Sequence, residues 1–411
     1  MRNTVVIGGG AAGIAAARHL HDAGVDVLLV EASDRIGGRV HSRTPTLPAG
    51  GTVTVDLGCG WLHSARRNPW TMIAQSRDVP VDRSSPNWGG QWRDLGFPAA
   101  DQQAFAAARK RWDDRAHAAL NGPDRSLADF IDADDPASPL IDAISGFANG
   151  AALAEISLHD WAAYEDAATD DNWALPGGYG TLIRDHADAV PVRFATPVTR
   201  IDHRDLILRL DTPAGTIEAH HAIVCVPVTI LANATLTFDP PLPTKQDAAA
   251  ALPLGLADKV LLHVDAPEWP AGVHVIGNPR AACTASHRLS PFGWPIVESF
   301  IGGPCAAMLE DGDAAAFAID ELVALLGNDW RRRFTPLVTT HWRQERWIGG
   351  SYSHARIGAA GQRTVLATPI DDRLFFAGEA CSPHDFSTAH GAYATGIAAA
   401  DRVLALSRRA R

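Results

Sequence analysis

The sequence predicts an α/β protein, and three observations predict it. The stretch "TVVIGGGAAGIAAAR" (4–18) runs from an apolar strand through three glycines into an alanine-rich helix. A second apolar run, "VDVLLVE", follows and ends on an acid, Glu31. Much later, "RLFFAGEA" (373–380) again sets a buried-strand pattern against a glycine and an acid, Gly378 and Glu379. Strand, helix and strand in that order make one βαβ unit of a parallel, doubly wound sheet, a Rossmann-like nucleotide-binding domain.

Within the first unit, residues 4–7 read as the strand and Ala11 to Ala23 as the helix. Gly8, Gly10 and Gly13 between them have G-x-G-x-x-G spacing. The first glycine permits the tight turn, the second lets a pyrophosphate approach the backbone, and the third lets helix and strand pack closely. The helix start at Ala11 and Ala12 offers unpaired N–H groups and the positive end of the dipole to phosphates. Glu31 lies eighteen residues beyond Gly13, with Ala32 next to it. A carboxylate there suits a ribose diol and repels a 2′-phosphate, so NADP is disfavoured. Glycine-rich turns also arise for packing reasons. With all the elements in register, the expectation is a bound dinucleotide.

At 411 residues the chain is long enough for two domains. Hydrophobic residues at 46% and charged residues at 20% fit an ordinary soluble fold. A formal charge of −11 argues against a nucleic-acid partner and mildly favours cationic small molecules. No apolar run approaches the ~20 residues that span a bilayer. The start "MRNTVVIGGG" leaves no room for a signal peptide. The five cysteines, Cys59, Cys225, Cys283, Cys305 and Cys381, lack CxxC spacing. The expectation is a cytoplasmic, thiol-reduced protein with no bound metal and no membrane contact. Lysine occurs only at Lys110, Lys245 and Lys259, against 36 basic residues in all. A lysine kept in so arginine-rich a chain marks a position needing an amine that can change protonation state.

The segment "EASDRIGGRVHS" decides between nicotinamide and flavin. Its Arg35, Gly37, Gly38 and Arg39 match an R-x-G-G-R motif after the first βαβ unit, and here the chain resembles the flavin-containing amine oxidase family. The second glycine pair brings backbone near a cofactor, and Arg39 can neutralise a pyrophosphate. Further stretches match in order along nearly the whole chain: "VDLGCGWLHSARRNPW" (55–70), "LPGGYGTLI" (175–183), "ATPVTRI" (195–201), "LGLADKVLLHVDAPEW" (254–269), "HWRQERWIGGSYS" (341–353) and the C-terminal run from Arg373. The resemblance implies non-covalent FAD, held also by Leu57, Gly58, Trp61, Val198, Trp342, Gly378, Glu379, Thr388 and Ala389. It implies an interleaved layout: residues 1–70, 175–235 and 345–411 in the FAD domain, and 71–174 and 236–344 in an α+β substrate domain. Ser387 or Thr388 would cap the C-terminal helix.

The activity it implies is oxidation of the C–N bond of a primary or secondary amine, a polyamine among the candidates, with O2 as the electron acceptor and peroxide as product. Lys259 matches the lysine that meets flavin N5 through a water. On its strand it shares a face with Leu261 and His263, and burial there would disfavour its charged form. Tyr352 matches one wall of the aromatic cage of monoamine oxidases. Two departures follow: Ser351 replaces their flavin-linking cysteine, and Thr388 stands at their second cage tyrosine. "WLHS" and "STAHGA" are more similar to polyamine oxidases, in which the histidine matching His63 faces the substrate channel. The family's L-amino-acid oxidases place a carboxylate-binding arginine just after D-x-G. None stands there, although Arg66 and Arg67 follow soon after. The competing classes are an L-amino-acid oxidase, a flavin oxidase or desaturase of non-amine substrates, a nicotinamide dehydrogenase and a non-catalytic flavin-binding module. Oligomeric state is not legible.

Overall fold

The structure, a computed structural model, describes residues 1–409. Its centre is the strand Arg2–Ile7, parallel to Val27–Val30 on one side and to Gly215–Val224 on the other. Leu374–Phe376 pairs in parallel with Ala222 to Val224, so the C-terminal segment returns to the sheet opened by the N-terminus. The helix Ala11–Asp22 crosses between the first two strands, and the helix Ala389–Arg409 packs along it. Gly396 lies against Ala12, where an added Cβ would stand 2.2 Å from the Ala12 carbonyl oxygen, and Ala16, Ala399 and Ala400 are buried in the same core. Small side chains let two helices approach closely over the sheet.

An antiparallel meander, Arg200–Asp202, Leu208–Thr212 and Gly215–Val224, extends this sheet. Thr237–Asp239 adds one more strand, parallel to Arg200–Asp202. The helix Pro243–Ala250 then buries Ala248 and Ala249 in the same core. The boundary at 235 therefore falls short: residues 237–252 belong with the parallel sheet, because the strand after the expected boundary still pairs with it.

The second sheet is antiparallel, in the order Val273–Ile276, Ser286–Leu289, Ile296–Gly302, Ala257–Val264, Phe334–Thr339. All eight residues of Ala257–Val264 are buried, the polar Asp258, Lys259 and His263 among them. Helices Ala99–Ala118, Ser138–Asn149 and Leu158–Ala167 form a separate cluster around Trp112, Leu127 and Trp161. Ala99–Ala118 buries only Ala108, Trp112 and Ala116, in keeping with its arginine- and aspartate-rich sequence.

The thiols depart from expectation. Cys283 and Cys305 are joined in a disulfide, whereas Cys59, Cys225 and Cys381 are free. The turn after Val273–Ile276 and the helix Gly303–Glu310 bring the two Cα atoms to 4.8 Å, a proximity that a separation of 22 residues does not reveal. Among the described residues no helix is long and apolar enough to cross a membrane, and no group of His, Cys, Asp and Glu is placed to hold a metal ion.

Candidate active site

The glycine turn has the close approaches that its spacing implies. Gly13 lies so near Gly8 that an added Cβ would stand 1.9 Å from the Gly8 carbonyl oxygen. Gly8 itself has φ +101° and faces the Cys225 carbonyl. Gly10 is different. It precedes the helix Ala11–Asp22, and a Cβ there would meet no protein atom within 4 Å. That cradle at a helix N-terminus fits the phosphates of a dinucleotide.

The R-x-G-G-R segment packs on this turn. Gly37 N–H donates to the Gly9 carbonyl, and Gly38 approaches the Gly10 Cα. Glu31 sits at the end of Val27–Val30, where its carboxylate accepts from Gly9 N at 2.6 Å and from Ser33 N at 2.8 Å. Ala32 follows it, and Thr196 N donates to the Glu31 carbonyl two residues before the buried Val198. These cofactor candidates therefore gather at the carboxyl ends of the parallel strands, where nucleotides bind in such folds.

Arg39 and Glu379 meet there as an ion pair at 2.8 Å, and Arg39 also donates to the Ser351 carbonyl. Glu379 is buried, which opposes its ionisation. Arg39, the Ser353 hydroxyl and Arg363 together hold it below the usual carboxylate range. A chain not foreseen from sequence continues inward. Ser353 Oγ donates to Glu379 at 2.6 Å, Arg363 donates to Ser353 Oγ at 2.9 Å, and Arg363 binds Asp160 in bidentate fashion at 2.7 and 2.8 Å. Asp160 lies on the helix Leu158–Ala167, so the chain ties the helical cluster to the parallel-sheet domain. Nothing in the run "GQRTVLAT" signals a fully buried arginine.

Leu57, Gly58, Trp61, Trp342 and Lys259 come together on the other side. A Cβ on Gly58 would stand 1.8 Å from the Arg39 carbonyl oxygen and 3.1 Å from the Trp342 ring. Trp342 Nε1 donates to the Leu57 carbonyl. Asp56, the acid of the "VDLG" run, caps the helix Tyr179–His186 through Tyr179 N and Gly180 N. Lys259 is buried, as expected. Its Nζ donates to the Asp56 carbonyl at 2.8 Å and lies 2.9 Å from Glu298 Oε1. Glu298 is the missed partner. An acid inside the otherwise apolar strand "IVESFIG" was the signal for it. The other two lysines are structural: Lys245 caps the carbonyls that end the helix Gln362–Ala367, and Lys110 pairs with Asp114 in solvent.

His63 Nδ1 lies 2.8 Å from Asn172 Oδ1, which can only accept. Nδ1 therefore carries the proton and Nε2 keeps a free lone pair. Burial lowers the His63 pKa to about 4, outweighing the help from Asn172, so the ring is neutral. Asn68 holds the loop by donating to the His63 carbonyl while its Oδ1 caps the helix Pro69–Ser76. Trp88 bridges His63 and Trp61, with ring centroids 5.8 and 5.1 Å away.

Tyr352 donates its hydroxyl to the Phe147 carbonyl, and the Phe147 ring lies 6.1 Å from Phe300, which is paired with Lys259 across the sheet. Thr388 is committed elsewhere. Its hydroxyl donates to the Asp385 carbonyl and accepts from Gly391 N, capping the helix that starts at Ala389. Ala389 is fixed in turn by Trp70 Nε1 on its carbonyl. Arg67 is paired with Asp385, and Arg66 is an exposed partner of Asp171.

The model of the flavin-containing amine oxidoreductases matches residues 11–91 and 125–404. The chain belongs to that family. Polyamine oxidase 2 of Arabidopsis thaliana is 29% identical, over 97% of this chain and 87% of that protein. Lysine-specific histone demethylase 1 homolog 1 of Oryza sativa is 27% identical over 99% of this chain, which spans about half (53%) of that longer protein. A putrescine oxidase solved with putrescine shares the fold, with a TM-score of 0.78 at 18% identity, covering 98% of this chain and 99% of the other. The chain is thus a flavin-dependent oxidoreductase of the amine oxidase type, built on the Rossmann-like, two-domain α/β fold that its sequence predicts.

Proposed function

We propose that the chain binds FAD non-covalently and oxidises a small aliphatic primary or secondary amine, with O2 as the electron acceptor. The observation that carries this reading is Lys259. It is a buried amine set where the antiparallel sheet meets the Asp56–Trp61 segment, beside Gly60. When bound, the flavin accepts a hydride equivalent from the carbon next to nitrogen and passes the electrons to O2.

The chain's own residues supply position and proton handling. Gly10 and the helix start at Ala11 would hold the pyrophosphate, Glu31 the ribose, and Arg39 with Glu379 the phosphate–ribityl region. Ser351 supports non-covalent binding: its hydroxyl is tied to Ala257 N and O, and it carries no thiol. His63 presents a neutral Nε2 that accepts a hydrogen bond from the incoming amine; its pKa of about 4 leaves the ammonium proton to be lost to solvent, since only the free amine carries the lone pair that C–N oxidation needs. Trp61 and Trp88 give an aromatic wall beside His63, with Trp88 partly open to solvent.

The test is direct. Purified protein should be yellow and should release peroxide with spermine, benzylamine or other amines, and not with NADH. Release with α-amino acids alone would support the L-amino-acid oxidase reading. A flavin that no amine bleaches would remove the amine oxidase reading.

A further inference from the structure

Arg288 is the one cation of the candidate site without a partner. It lies on the strand Ser286–Leu289, in a cleft it shares with Trp61, Lys259, Phe292 and Glu298. Its guanidinium is held between two rings, with Cζ 4.7 Å from the Trp61 centroid and 5.0 Å from that of Phe292. Among the described residues it donates no hydrogen bond, and its Nε is buried with no acceptor. The contrast with its neighbours is sharp. Lys259 has the Asp56 carbonyl and Glu298, and Arg363 has Asp160 and Ser353. A buried N–H without an acceptor is costly, and the Nη groups, which are open to the cleft, are free to take an acceptor from outside.

Register places it. Arg288 is opposite Glu298, and Glu298 is opposite Leu261, while Lys259 is opposite Phe300. Opposed residues and residues two apart share a sheet face, so Lys259, Glu298, Phe300 and Arg288 all project from the same one.

We propose that Arg288 reads a carboxylate at the far end of the amine, so that the preferred substrate is an ω-amino acid rather than a diamine or polyamine. This rests on the amine oxidase reading above and narrows it. The two rings lie against the guanidinium without using its fork of N–H groups, which matches a carboxylate in bidentate fashion. Charge agrees: Glu298 is taken by Lys259, and the Asp56 carboxyl is engaged by Ser42 and the helix it caps. Arg288 itself is offset only at longer range, by Glu298 and Asp82, so a second ammonium would meet a cation with no acid in contact with it. The spacing favours a carboxylate remote from the amine: Arg288 stands on a strand two spacings, about 10 Å, from the lysine strand, and a chain of several methylenes lying against Trp61 and Phe292 would bridge it.

The test uses the flavin-loaded enzyme and its Arg288→Met and Arg288→Lys variants. Measured kcat/KM should favour 5-aminopentanoate over 1,5-diaminopentane and pentylamine by about tenfold or more, and should rise from glycine to the five-carbon acid. Arg288→Met should erase that preference mainly through KM, and Arg288→Lys, which keeps the charge without the fork, should recover part of it. Pentanoate, which cannot be oxidised, should perturb the flavin absorbance of wild type at concentrations about tenfold below those needed with Arg288→Met. An unchanged substrate ratio in Arg288→Met, or equal pentanoate binding, overturns the proposal. If pentanoate binding depends on Arg288 while no amine is oxidised, the anion site stands and the amine oxidase reading falls.

Discussion

Lys259 and Glu298 form a buried ion pair between neighbouring antiparallel strands, 2.9 Å from Nζ to Oε1. Removing one member leaves the other charge without its partner, which costs about 3 kcal/mol or more, whereas replacing both by apolar groups is close to neutral. Glu298→Leu should therefore lower stability by about 3 kcal/mol, and adding Lys259→Met should restore most of it. Thermal unfolding of the two single variants and the double variant checks this; additive losses would mean that the two side chains do not act as a pair.

Lys259→Met should also slow flavin reduction or reoxidation severely, since it removes the buried amine beside Asp56 and Gly60. Stopped-flow measurement of each half-reaction is the check. Near-normal rates in both would take Lys259 out of the mechanism.

Gly10 and Gly13 separate folding from cofactor uptake. A Cβ on Gly13 collides with the Gly8 carbonyl, while one on Gly10 meets only open space. Gly10→Ala should fold with a melting temperature near that of wild type as apoprotein, yet bind FAD about tenfold more weakly or worse, because the methyl occupies the approach of the pyrophosphate. Gly13→Val should fail to fold. Fluorescence titration of apoprotein with FAD distinguishes them.

Several buried histidines make the protein acid-labile. His63, His274 and His354 are each lowered to about 4, in every case chiefly by burial. The folded state keeps them neutral while the unfolded chain takes up protons near 6.5, so stability is full above that pH and is lost as pH falls towards 4. Replacing His63 with Asn should make the loss of melting temperature between pH 6.5 and 4 shallower. The acid limb of kcat/KM should persist in that variant, since it reports the substrate ammonium. Loss of the limb would assign it to His63 instead.

The parallel sheet and its glycine turn were legible because their constraints are local: a strand, a turn and a helix within thirty residues. The boundary near 235 was not, because the strand Thr237–Asp239 is assigned by a partner some forty residues earlier. The same reason hid much of the site. Lys259 stands out by residue type, and its burial follows from its strand. Its partner Glu298 and the unpaired Arg288 lie on two other strands, and only the sheet register brings them together. Thr388 shows the converse. Its position matched a cage wall, but a hydroxyl at the start of a helix is claimed by the backbone.

The flavin itself is the most direct measurement. Gently purified protein, denatured by heat or acid, should release FAD into the supernatant, and anaerobic addition of an amine to the native protein should bleach its absorbance near 450 nm, with colour and peroxide returning on admission of O2. A colourless protein that takes up no added flavin, or a flavin that stays oxidised with every amine while behaving normally towards dithionite, would contradict this account.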